Sequence, residues 1–223
     1  VSGGAFSLEA NSAMNAGMSV EVVNDAGWLA KTTADFASYR ALIMGDPTCV
    51  VGNGPIDAAE ASTNTWAAAC TGNVIVIGTD PTFHQGQGGS QLTQLGIDFA
   101  VADAANTGAY ITLSCYYHDT TPGTPVPLLD GFSAGGFTVK GVGCFNDAHI
   151  VASHPAMDPL TDAQLSNWSC SVHEAFDTWP SVGLNPFLVL AIAENAGGEY
   201  NAPDGTVGTP YILARGEELV VIS

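Results

Sequence analysis

The chain has 223 residues and carries a net charge of −18, with 22 acidic side chains against four basic ones, Lys31, Arg40, Lys140 and Arg215. Nucleic acid and anionic membranes are held by basic patches, so this balance speaks against both as partners. No apolar run approaches the roughly 20 residues that cross a bilayer; the longest lies near Phe187–Ala193, and no membrane insertion is expected.

Ser7 is placed to cap a helix over 8–16, and Gly17 to end it. The stretch MSVEVV (18–23) alternates like a strand. Thr33 is placed to cap a short helix through Tyr39, and ALIMG (41–45) reads as a buried strand. Past Gly52, Gly54 and Pro55, a helix is predicted near 57–69. The run NVIVIG (73–78) is β-branched and uninterrupted, the mark of a buried strand. The glycine-rich HQGQGGS (84–90) leads into a helix from Gln91 to about Ala105, in which Gly96 marks close helix–sheet packing. A further strand, AYITLSC, follows at 109–115.

Helix and strand alternate to this point, which implies parallel strands joined by right-handed crossovers. Beyond Pro122 the pattern changes. GGFTVKGVG (135–143) and AHIVAS (148–153) read as strands with no helix between them. TDAQ (161–164) is a capping box that starts a short helix to about Asn167. FLVLAIAE (187–194) is another buried strand, and TPYILARGEELVVIS (209–223) reads as a closing hairpin with its turn near Gly216. The expectation is one α/β domain over 1–223, with an alternating half (1–121) and a β-richer half (122–223). A doubly wound sheet begins with a strand, yet only VSGGAF precedes Ser7. The first strand is therefore expected to be missing: a fragment, a processed product, or a chain whose strand comes from a neighbour.

The five cysteines, at 49, 70, 115, 144 and 170, form no CxxC pair, which argues against a zinc ribbon or a thioredoxin-like site. Cys144 and Cys170 flank one continuous segment and are the preferred bridge. An odd count leaves at least one thiol over, and Cys49, Cys70 and Cys115 all remain open for that place. The sequon NWS (167–169) matters only in a eukaryotic secretory host.

Ligands of open α/β sheets bind beyond the carboxyl ends of the strands. Three predicted strands deliver chemistry there: Asp46 and Cys49 after the first, Asp80 and His84 after the second, and Cys115, His118 and Asp119 after the third. In the repeated G(T)DPT turn, Asp46 and Asp80 either accept backbone hydrogen bonds or face a cation or substrate between them. Cys115 needs a base to become a thiolate nucleophile. The bases on offer are His118 and His173. On a strand, Glu174 would point away from His173's face and would not orient it. His149 and His154 read as structural. Tyr116 and Tyr117 either line a pocket for an aromatic or sugar ligand or pack under a loop.

On ALIMGDP, GNVIVIGTDPTFH, the cysteine after YITLSC, and the late SVHEAF…FLVLAIAE…GTPYILARGEE, the chain resembles the class I glutamine amidotransferase-like superfamily. The resemblance spans most of the chain. It implies a flavodoxin-like, three-layer α/β/α fold with a mainly parallel sheet, an extra β-rich segment and the C-terminal hairpin. Family enzymes set the nucleophile between glycines, where Cys115 stands between Ser114 and Tyr116. They also carry histidine and glutamate on a late strand, where YILARGEE has no histidine. This is the pattern of a divergent extracellular member with a degenerate triad.

The expected function is a non-catalytic secreted or cell-surface α/β module for ligand binding or subunit assembly, with a neighbouring chain or self-assembly supplying a strand. Its ligand face comprises Asp46, Asp80, His84, Tyr116 and Asp119, and no cofactor or metal is required. The alternative is a cysteine-dependent hydrolase or acyl-transfer enzyme, with Cys115 attacking, His173 or His118 as base, and loop amides near Gly86–Gly89 as oxyanion donors. A metal-dependent hydrolase using Asp46, Asp80 and His84 is a third reading.

Overall fold

The computed structural model of the protein describes residues 4–45, 49, 56–198 and 200–216. Ser7 caps α1 (Leu8–Asn15) by accepting from the Ala10 amide, and Gly17, in the left-handed region, follows its end. Two short helices come next, α2 (Asp25–Leu29) and α3 (Thr33–Phe36). Thr32, not Thr33, caps α3: it forms a reciprocal box with Asp35, while the Thr33 hydroxyl donates to the Thr65 carbonyl. The expected strand over 18–23 is absent. Val20 and Val22 are exposed, and among the described residues the segment joins no strand ladder, because alternation makes a strand only where a neighbour offers one.

The strand β1 (Ala41–Met44) precedes α4 (Ile56–Ala61) and α5 (Thr63–Trp66), which with a terminal 3-10 turn break the helix expected at 57–69 into three pieces. Then follow β2 (Val74–Ile77), α6 (Gly89–Ala102) and β3 (Gly108–Thr112). In α6, a side chain at Gly96 would place its Cβ 2.9 Å from the Tyr110 ring, so the glycine lets the helix lie directly on β3. The second half holds β4 (Thr124–Pro125), β5 (Thr138–Phe145), β6 (Ala148–Ile150) and α7 (Asp162–Leu165). Thr161 and Gln164 close the capping box of α7 as its sequence predicts. The last elements are β7 (Val172–Thr178), β8 (Leu188–Glu194), β9 (Tyr200–Asn201) and β10 (Val207–Arg215).

Among the described residues seven strands form one mixed sheet in the order β1-β3-β2-β10-β8-β6, with β9 beside β10. β3 runs parallel to both β1 and β2, while β10, β8 and β6 add antiparallel. The fold is therefore α/β, and parallel pairing stops at β2. The third strand lies between the first two, whereas a flavodoxin-like sheet sets its first strand between the second and third. The long apolar run after Thr209 is β10, held between β2 and β8 with Pro210 at a register irregularity where no ladder donor is needed. The second arm of the expected closing hairpin lies outside the described residues. A smaller sheet, β4-β5-β7, packs across the first, and β7 touches β10. Two apolar clusters fill the two faces, one around Trp66, Phe137 and Phe187, the other around Ile75, Leu92, Ile97 and Tyr110.

Candidate functional site

The registers Ala41↔Gly108 through Met44↔Ile111 and Val74↔Ala109 through Ile77↔Thr112 bring the carboxyl ends of β1, β3 and β2 to one rim. Asp46 lies outside the described residues; Cys49, beyond the end of β1, is bonded to Cys115 in the loop after β3. Cys144 pairs with Cys170 as the sequence suggests. The cysteine left over is Cys70, a buried thiol that burial pushes up to about 12 against the opposing pull of Arg215.

The loop after β3 is tied down from outside by Cys49 and by β5, whose Gly141 amide donates to the Thr120 carbonyl at 2.9 Å. Ser114 adopts a left-handed φ of 57°, a strained turn one residue before Cys115, yet its side chain is fully buried with Oγ 3.7 Å from Cys115 Sγ. Bridged and buried, Cys115 has no thiol to ionise. His118 does not serve it: its Nδ1 meets the Cys115 carbonyl at 2.6 Å and its Nε2 faces Asp119, whose side chain is 86% exposed. Tyr116 and Tyr117 are buried against each other within the first apolar cluster, so they pack under the loop. Burial, aided by the Glu60 charge, drives the Tyr117 pKa up. Burial, together with Asp57 and Asp130, raises that of Glu60.

The loop after β2 is arranged differently. Asp80 is buried, and its Oδ1 lies 3.2 Å from His84 Nε2 and 3.1 Å from His173 Nε2. Thr79 Oγ1 donates to the same oxygen at 3.4 Å. His84 reaches it from a 3-10 turn over Pro81–His84, one turn on from Asp80. His173, 93 residues away in sequence, arrives on β7. β7 crosses the end of β2 so closely that a Cβ on Gly78 would lie 2.5 Å from the Glu174 carbonyl oxygen, and both His173 and Glu174 amides donate to the Gly78 carbonyl at 3.4 Å. Period-two alternation along β7 turns His173 to the rim and leaves Glu174 buried.

The imidazole of His84 stacks on Trp168, with centroids 5.2 Å apart and planes at 27°. Its orientation is fixed from behind. Gln87 Nε2 donates to the Asn167 carbonyl at 3.0 Å, which turns Gln87 Oε1 toward His84 Nδ1 at 2.8 Å. By this hydrogen-bond network Nδ1 carries a hydrogen, and Nε2 is directed at the Asp80 carboxylate.

Asp80, His84 and His173 thus converge, their donor atoms all within 4.8 Å of one another. The sequence brings forward each of the three, but it sets His173 beside Cys115 rather than beside Asp80. Gln87 escapes it entirely; the only signal is its place three residues after His84 in a glycine-rich loop. His149 and His154 lie elsewhere, the first held between Asp162 and Asp204 and the second against Phe99. Comparison with known protein families, with curated proteins and with solved structures finds no match to this chain.

Proposed function

We propose that the chain is a non-catalytic α/β binding module, braced by disulfides, whose ligand is held at the rim where β2 and β7 meet. The observation that carries this reading is the bond between Cys115 and Cys49, which takes the strand-end sulfur out of nucleophilic chemistry. His173, the distant base of the hydrolase alternative, is engaged with Asp80 instead. Two bridges fit an oxidising, extracellular or cell-surface setting. No helix of the described residues is long and apolar enough to cross a membrane. The amidotransferase-like relationship is a proposal about the scaffold; helix–strand alternation through β3 and the cysteine just past it support it.

Assembly by a donated strand belongs to the same proposal. Among the described residues β1 pairs with β3 alone, and a cavity of about 330 Å³ is lined by Val20, Val22, Leu42 and Met44. Such an edge accepts an added strand through its backbone. Sizing in solution tests it, and a folded monomer at all concentrations removes that half of the reading.

Thiol labelling of the unreduced protein tests the main claim. No thiol should react in the folded state, and Cys70 alone should react once the chain is unfolded. Rapid native labelling of Cys115, with an apparent pKa well below the ordinary value of about 8.5, restores the cysteine hydrolase.

A further inference from the structure

We propose that Asp80, His84 and His173 form a binding site for one divalent transition-metal ion, with zinc the best-fitting ion. The inference rests on the binding-module reading and names the class of ligand that the rim takes.

Two features point to a cation. The first is the donor set. One carboxylate oxygen and two imidazole Nε2 atoms converge from three positions on two elements, which suits zinc and its neighbours and is poor for calcium or magnesium. The second is spacing. Zinc bonds of 2.0–2.2 Å in a tetrahedron separate neighbouring ligand atoms by ~3.4 Å. The Asp80 oxygen already lies 3.1 and 3.2 Å from the two nitrogens, and rotation of the imidazoles to close the gap between those nitrogens, which lie within 4.8 Å of each other, seats the ion.

Gln87, itself anchored on Asn167, meets His84 Nδ1 at 2.8 Å from behind and leaves Nε2 aimed at Asp80. Gln87 acts here as a positioning residue: it holds the tautomer and ring angle, as outer partners of metal-bound histidines do. Trp168 closes one side of the ring. His84 and His173 remain partly exposed, which leaves an entry path and a fourth position for water.

Zinc titration of the oxidised, full-length chain tests this, read by the histidine ring resonances and by equilibrium dialysis. We expect one zinc per chain, removable by a chelator, with shifts at His84 and His173 and none at His118, His149 or His154. Cobalt should give the visible absorption of a four-coordinate nitrogen–oxygen site. His84→Ala and His173→Ala should each lower affinity by about 100-fold or more, and Gln87→Ala by about 10- to 100-fold without moving the zinc-free unfolding midpoint. Binding should weaken on acidification, because both imidazoles must be unprotonated to ligate. The resonance readout uses the unmodified protein, so no variant's folding decides the outcome. Absence of zinc uptake, or uptake that shifts other histidines, overturns the metal site and leaves the bridged module standing. A reactive Cys115 overturns the module whatever the zinc titration shows.

Discussion

The loops that follow β2 and β3 leave the same rim, and each carries an aspartate and a histidine close in sequence. One becomes structure and the other becomes a site. After β3, the sulfur is tied to Cys49, His118 turns back to the carbonyl of its own loop, Asp119 stands in solvent, and two tyrosines sink into the core. After β2, the carboxylate is buried and faces two imidazoles, one of them delivered by a strand of the second sheet. Both are crossed by a strand of the second sheet; what separates them is that β7 delivers a histidine side chain to Asp80, whereas β5 meets the β3 loop through backbone, the Gly141 amide donating to the Thr120 carbonyl at 2.9 Å. Position at the carboxyl end of a parallel strand is thus a condition for a site here, not its cause.

The largest effect should come from the β3 loop. Replacing Cys49 and Cys115 together with alanine opens a bridge spanning 66 residues, and chain entropy puts the loss at about 4 kcal/mol. Urea unfolding should show it as a lower midpoint, while zinc affinity stays unchanged. Loss of zinc binding in that variant would merge the two loops into one unit and end the contrast.

Gly78→Ala probes the crossing itself. Its Cβ would collide with the Glu174 carbonyl, so β7 must move, at about 1–3 kcal/mol by the usual size of overpacking. Zinc affinity should fall by about tenfold or more, because His173 travels with β7. A destabilised protein that keeps full affinity would show that His173 is placed by something other than this contact.

Glu60→Gln sharpens the packed loop through Tyr117. Burial and the neighbouring acids hold the Glu60 pKa above its ordinary 4.5 in the folded chain. Its contribution is therefore fully present below pH 4.5 and is lost as pH rises through the folded value. The variant should be more stable than the parent at pH 7, and the advantage should shrink to nothing on acidification toward pH 4.5 and below. Equal pH profiles for the two proteins would contradict a half-buried Glu60 whose charge the neighbouring acids disfavour. The smallest effect is expected of Asp119→Asn, within about 0.5 kcal/mol in stability and with no change in zinc uptake, since that carboxylate is exposed.

Much of the frame is legible along the chain. Ser7, Gly17, Thr161 and Gln164 mark helix ends because caps are made between residues three or four apart. VIVI and the run after Thr209 read as buried strands because a strand covered on both faces is apolar without interruption. Gly96 betrays its helix-to-sheet contact by being the wrong residue for an isolated helix. Where the reading fails, a partner distant in sequence decides. MSVEVV has a strand's alternation and, among the described residues, no strand beside it to pair with. Strand order, with β10 entering antiparallel beside β2, leaves no local trace.

The sequence by itself determined the acidic balance, the alternation of helix and strand through β3 and the chemistry waiting at the strand ends, and it favoured the Cys144–Cys170 bridge. Only the tertiary structure decided that Cys115 meets Cys49 and that His173 meets Asp80. Caps and periodicity are short-range and repeat along the chain, whereas those two meetings close loops of 66 and 93 residues; the pairing of β1 beside β3 selects the first, and the packing of one sheet across the other selects the second.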